Sequence, residues 1–280
     1  MDKIKIITVS TADLNEDIIK KYDIEVLPLV VNIGENTYLD GIDIKTPKLL
    51  EYMKVSEEFP TTSQVNPQRC LECFEKYIHE GYKILFLNMS SKMSGTYQAS
   101  CIARDMIDKK ENIVIIDTLN VTSGLGVLVL KACRLREEGL NLYEIKKQIE
   151  ETIPHVKSAL IFNSLENLVK GGRLSKTAGT IGGILGIKLI LEIKDGEISV
   201  MNKVRGTKKA VKTVLNYLDD LGVSHKDTAI LLHIDSEEVR CSLRTNLQNN
   251  NTNFIECEVG CVVGTHSGAD ACGVFFIEKY

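Results

Sequence analysis

The chain reads as an α/β protein in two parts, a parallel-sheet domain at residues 1–155 followed by a mixed-sheet domain at residues 156–280. Three observations predict this. In the first half, short and nearly continuous apolar runs alternate with amphipathic stretches, the pattern of buried parallel strands covered by helices on both faces. In the second half, Asp195-Gly196 joins two apolar runs as a type I′ turn, so antiparallel pairing enters there. Between the halves, Pro154 ends a helix and marks the boundary.

The elements follow in order. Residues 3–9 form a buried strand, 15–22 a short helix, 24–33 a strand and 46–55 a helix. Residues 67–79 form a helix with proline at its first position and Gly81 beyond its end. A strand at 83–88, a helix at 96–108 and a strand at 112–117 complete the alternation. Residues 123–138 make a long apolar helix, and Asn141 with Glu144 has the spacing of a capping box that opens another. Beyond Pro154, strands are predicted at 158–162, 188–194, 197–202, 228–234, 259–263 and 273–277, with helices at 207–221 and 236–248.

Composition narrows the function. The chain has 280 residues, 44% of them hydrophobic, enough for a large core. Its 34 basic and 38 acidic residues leave a net charge of −4, without the basic excess of a nucleic-acid binder. Its eight cysteines are scattered through apolar patterns, as expected of buried free thiols in a reducing cytosol. Cys70 and Cys73 match half of a zinc knuckle but have no second pair of the same spacing, so no metal site is expected. The N-terminal residues lack a signal-peptide core, and no run approaches the ~18 apolar residues of a membrane span. A soluble, cytoplasmic protein is the expectation.

The chemistry points to an anion. Ser90-Ser91-Lys92-Met93-Ser94-Gly95-Thr96 lies between a strand and a helix, where free backbone N–H groups and hydroxyls converge. Two further hydroxyl clusters, Thr61-Thr62-Ser63 and Gly264-Thr265-His266-Ser267-Gly268, suggest one composite site, although each could equally well be capping a helix. His266, in a loop flanked by glycines, reads as a ligand contact. Ser94 with His266 and Asp117 would be the set for a serine hydrolase, but Ser94 is not in a G-x-S-x-G elbow and has competing hydroxyls around it. No Walker or G-x-G-x-x-G sequence occurs. The stretch 177–191, rich in Ile, Leu and Gly, would either line a narrow apolar tunnel or pack as an ordinary core helix.

Five blocks taken in order, Phe59 to Gln64, Ser90 to Gln98, Asp117-Thr118 with Ser123 to Gly126, Leu168 to Ser175 and Gly264 to Gly268, resemble the signatures of the DegV family of fatty-acid-binding proteins over essentially the whole chain. The resemblance implies a two-domain fold with a long-chain fatty acid such as palmitate in the cleft, its tail buried. Carried over by position, Thr62 and Ser94 would bind the carboxylate, with His266 and Arg173 beside it. It further implies a non-enzymatic carrier without a cofactor, presenting the acid to a fatty acid kinase. Ser94 and His266 as nucleophile and base of an acyl hydrolase or transferase are the alternative. Three positions depart from the family pattern: Val9 replaces an Asp, Leu189 a Pro, and Gly268-Ala269-Asp270 a Gly-Pro-Gly.

Overall fold

A computed structural model describes residues 3–174 and 186–280. Strand β1 (Ile4–Val9) is apolar except for Lys5 and Thr8, and all six of its residues are buried. Helix α1 (Glu16–Lys21) leads to β2 (Glu25–Leu27), which pairs parallel to β1. The single strand expected at 24–33 is two, because Pro28 has no N–H to continue a ladder. After it the chain enters a different sheet, in which β3 (Val30–Ile33) lies between β4 (Asn36–Leu39) and β5 (Thr61–Ser63). Neither β4 nor β5 was expected; both are short, polar and half-exposed. Between them runs α2 (Thr46–Val55).

Helix α3 (Pro67–His79) is capped by the Asn66 side chain, which accepts from Arg69 N–H at 2.9 Å. Strand β6 (Lys83–Asn88) pairs with β1, and β7 (Ile113–Asp117) with β6, so the first sheet has the order β2-β1-β6-β7 with all neighbours parallel. Helix α4 (Thr96–Asp105) joins β6 to β7. The chain leaves β1 toward β2 on one side, while β6 lies on the other. The loops after β1 and β6 therefore diverge at their C-terminal ends, where open parallel sheets place ligands.

Helix α5 (Ser123–Glu137) is buried nearly all round because it packs on β1 and β6 and also on strands of the second sheet. Gly126 permits that approach: a Cβ there would lie 2.9 Å from the Ala12 carbonyl. Helix α6 (Leu142–Thr152) opens with both halves of the Asn141–Glu144 capping box in place.

The second sheet, in the order β10-β9-β8-β13-β11-β12, is antiparallel except for β11 with β12. It contains β8 (Val156–Phe162), β9 (Ile187–Lys194), β10 (Glu197–Arg205), β11 (Ala229–Ile234), β12 (Phe254–Glu258) and β13 (Ala271–Ile277), interleaved with α7 (Glu166–Lys170), α8 (Thr207–Leu221) and α9 (Glu237–Asn249). The β9–β10 turn has Asp195 at φ 51° and Gly196 at φ 83°, as a type I′ turn requires. Its tip is held by Ser90, whose hydroxyl donates to the Gly196 carbonyl at 2.7 Å.

One expected strand is a helix. Residues 259–263 do not pair; Cys261–Ser267 form α10, while the edge strand is β12 just before it. A short apolar run cannot distinguish the two by periodicity. Long-range contacts decide it: Asp13 accepts from Gly260 N–H at 3.0 Å and Asp40 from Cys261 N–H at 2.8 Å, satisfying the orphan donors of the helix start.

One face of the second sheet joins the first sheet in a core running from Ile4 to Ile277, and the other packs under α8 and α9. Val9 is buried in the larger core, and Leu189 sits in β9 opposite Phe162. Cys70 and Cys73 face that core from α3, and burial pushes both thiols up to about 12. Of the stretch 177–191, residues 177–185 lie outside the described residues, as does Ser175; from Ile187 on, it is strand β9. Among the described residues no helix is long and apolar enough to cross a membrane.

Candidate functional site

The three hydroxyl clusters converge on one cavity of about 230 Å³ between the two larger sheets. Thr62 and Ser63 arrive on β5, Met93, Ser94 and Gly95 on the loop after β6, Arg173 after α7, and His266 on α10. All four residues singled out from sequence, Thr62, Ser94, Arg173 and His266, line it. His266 lies on a helix, not in the expected loop; Gly268 at φ 69° ends that helix, and Asp270 at φ 59° follows. The rest of the wall is mostly apolar, with Leu160 and Phe162 from β8, Leu191 and Ile193 from β9, and Phe275 from β13, and it also carries Thr11, Gln64, Thr122 and Ser267. A polar end and a long apolar wall suit an amphipathic ligand.

The polar end is hydrogen-bonded in two pairs. Thr62 Oγ1 lies 2.9 Å from His266 Nε2, and Ser94 Oγ lies 2.9 Å from Thr96 Oγ1. Arg173 straps the site, donating from Nη1 to the Gly171 carbonyl at 2.7 Å and from Nη2 to the Met93 carbonyl at 3.3 Å. Among the described residues no hydrogen bond joins Ser94 to His266. Asp117 is turned to the backbone instead, accepting from Ser91 and Leu119 N–H at 3.1 Å each. The nucleophile, base and acid of a hydrolase triad are thus not linked.

Burial, assisted by the Arg173 charge, holds the His266 imidazole down to about 4, so the ring is neutral near pH 7. Behind the cavity wall lies a group that pattern reading missed. Thr122 lines the cavity at φ 50°, unusual for a β-branched residue, and its hydroxyl donates to Asp13. Asp13 and Asp40 are both buried and hold the start of α10, whose far end carries His266. Burial pushes the Asp13 carboxyl up to about 7 against the hydrogen bond from Thr122, with the nearby Asp40 adding to the rise. The only local signal was an acidic residue in a turn; its partners are far away in sequence.

The two shifts oppose each other. Asp13 has its folded value above the ordinary 3.8, so its contribution to stability is complete below 3.8 and is lost as pH rises through about 7. His266 has its folded value below the ordinary 6.5, so its contribution is present above 6.5 and is lost as pH falls toward about 4. Between those limits the unfolded chain carries the proton on His266 and the folded chain carries it on Asp13. Relative to the ligand-free parent, Asp13→Asn should make stability rise with pH across this window and His266→Gln should make it fall. Urea unfolding at a series of pH values checks both; slopes unchanged from the parent would contradict the assignment.

A family model described as "Uncharacterised protein, DegV family" matches residues 3–279. Among curated relatives, a DegV domain-containing protein of Clostridium acetobutylicum is 61% identical over 280 residues, covering all of both chains, and one of Clostridium perfringens is 44% identical over the same span. Among solved structures, a DegV family protein of Thermus thermophilus described as fatty acid binding superposes with a TM-score of 0.92 at 26% identity, over 99% of this chain and 100% of that one. DegV of Bacillus subtilis, described as a fatty acid binding protein, superposes with a TM-score of 0.86 at 28% identity over the whole of both.

Proposed function

The chain belongs to the DegV family, and on that premise we propose that it binds a long-chain fatty acid of the palmitate class, with the tail along the apolar wall and the carboxylate at the polar end. The observation that carries this reading is the convergence of Thr62, Ser94, Arg173 and His266 on one cavity whose remaining wall is mostly apolar. Thr62 and Ser94 supply hydroxyl donors to the carboxylate, Arg173 supplies positive charge nearby, and His266 stands behind Thr62. The described fatty acid binding of the Thermus thermophilus and Bacillus subtilis relatives supports it.

In this reading the protein is a carrier in lipid metabolism and not an enzyme, needs no cofactor or metal, works in the cytoplasm, and presents the bound acid to a fatty acid kinase that phosphorylates the carboxyl group. The reading divides the chain at residue 155 into two domains with the ligand between them. In support, strands β1 to β7 fall before residue 118 and the mixed sheet begins at Val156.

Thr62→Ala and Ser94→Ala should each weaken binding of a fluorescent fatty acid by about 1–3 kcal/mol, because each leaves a desolvated carboxylate oxygen short of a donor. Parental affinity in both variants would remove the proposed site. With ATP, Mg²⁺, palmitate and a fatty acid kinase, an acyl phosphate should form that the isolated chain does not make. Acyl-phosphate formation by this chain alone would overturn the carrier assignment.

A further inference from the structure

We propose that Thr96 and His266 are positioning residues that turn the hydroxyl hydrogens of Ser94 and Thr62 into the cavity, so that its polar end offers donors to an oxyanion. The inference deepens the fatty-acid reading and rests on it for the identity of the acceptor.

Thr96 is completely buried, at 0% exposure. Its hydroxyl lies 2.9 Å from Ser94 Oγ and 3.4 Å from Val65 N. A buried hydroxyl hydrogen needs an acceptor, and a backbone N–H can only donate. Among the hydrogen bonds of the described residues, Ser94 Oγ is the only acceptor offered to Thr96 Oγ1, so Thr96 donates to Ser94. Ser94 Oγ also receives the Thr96 backbone N–H at 3.3 Å. Two donors thus occupy its lone pairs, and its own hydrogen is left for the cavity that Ser94 lines.

His266 does the same for Thr62 through its tautomer. Among the described residues its Nδ1 is buried without a partner, and it faces the Gly171 backbone so closely that a Cβ there would lie 2.1 Å away. A proton on Nδ1 would be a buried donor with nothing to bond. The single proton of the neutral ring therefore belongs on Nε2, which donates to Thr62 Oγ1 at 2.9 Å. Burial beside Arg173 keeps the second proton off. The Thr62 hydroxyl has no other hydrogen bond among the described residues, so its own hydrogen also turns to the cavity. Two outward hydroxyl hydrogens match the two acceptor oxygens of a carboxylate.

Nitrogen-15 NMR of the delipidated protein at neutral pH tests the histidine directly. The expected result is a protonated Nε2 and a bare Nδ1 in His266; a protonated Nδ1, alone or in an imidazolium, would overturn this half. For Thr96, both Thr96→Val and Thr96→Ala should lower palmitate affinity about tenfold or more while Thr96→Ser restores it; parental affinity in a folded Val or Ala variant would overturn that half. His266→Ala should weaken binding in the parent and add nothing further in a Thr62→Val background, whereas an additive loss would contradict a role through Thr62. If the parent bound no palmitate, the fatty-acid reading would fall, while the tautomer result would still decide the His266 geometry.

Discussion

Palmitate should bind this protein far more tightly than octanoate. The eight additional methylenes, at ~0.8 kcal/mol each, are worth about 6 kcal/mol when buried, or about four orders of magnitude in affinity before the longer chain's ordering is subtracted. A charge-assisted hydrogen bond at the carboxylate contributes about 1.5–3 kcal/mol and is common to both acids, so it cannot discriminate between them. The wall that would receive the tail is built by Leu160, Phe162, Leu191, Ile193 and Phe275, whose positions follow from the register of β8, β9 and β13. Calorimetric titration with acids of graded length should show affinity rising at each step, with a preference for palmitate over octanoate of about a hundredfold or more. Equal affinities would rule out a buried tail.

The second large effect concerns the joint between α5 and the mixed sheet. Asp227 precedes β11, and its side chain is 7% exposed. It accepts from Arg134 at 2.9 Å, lies 3.9 Å from the Lys131 ammonium, itself 8% exposed, and accepts from Ser224 at 2.8 Å. Asp227→Ala would leave Lys131 buried without its ion-pair partner, with the Tyr280 hydroxyl at 3.2 Å as its one remaining side-chain partner among the described residues. Losing one member of a buried ionic group costs about 3–5 kcal/mol, chiefly because the remaining charge stays desolvated. Urea unfolding should show that loss, and Lys131→Met in the same background should recover part of it by removing the stranded charge. A change below about 1 kcal/mol would mean that Lys131 reaches water when Asp227 is removed.

The parts of this molecule readable from sequence are those whose cause is local. The Asn141–Glu144 capping box and the Asp195-Gly196 turn are written in consecutive residues, and both occur where expected. Strand β1 and helix α5 are long apolar segments whose burial needs little further information. The misreadings share a different cause. Whether residues 259–263 become strand or helix depends on carboxylates 247 and 221 positions away, at Asp13 and Asp40. Strands β4 and β5 are short and polar, with no hydrophobic alternation to announce them, because the three-stranded sheet is largely exposed. Ile24 to Ile33 reads as one apolar run, yet Pro28 divides it between two sheets.

At the site, the residue types were readable and their wiring was not. Hydroxyl-rich stretches raise an anion site only as an expectation; Thr62, Ser94 and His266 from them, with Arg173 carried over from the family resemblance, do line one cavity. That His266 pairs with Thr62 and not with Ser94, and that Thr96 stands behind Ser94, follows from tertiary geometry.

Mass spectrometry of lipid extracted from the purified protein tests the central claim most directly. The account predicts a co-purified saturated or unsaturated long-chain fatty acid, close to one per chain, lost from a Thr62→Ala/Ser94→Ala double variant. A parent protein that carries no fatty acid, and takes up none when incubated with palmitate, would contradict it.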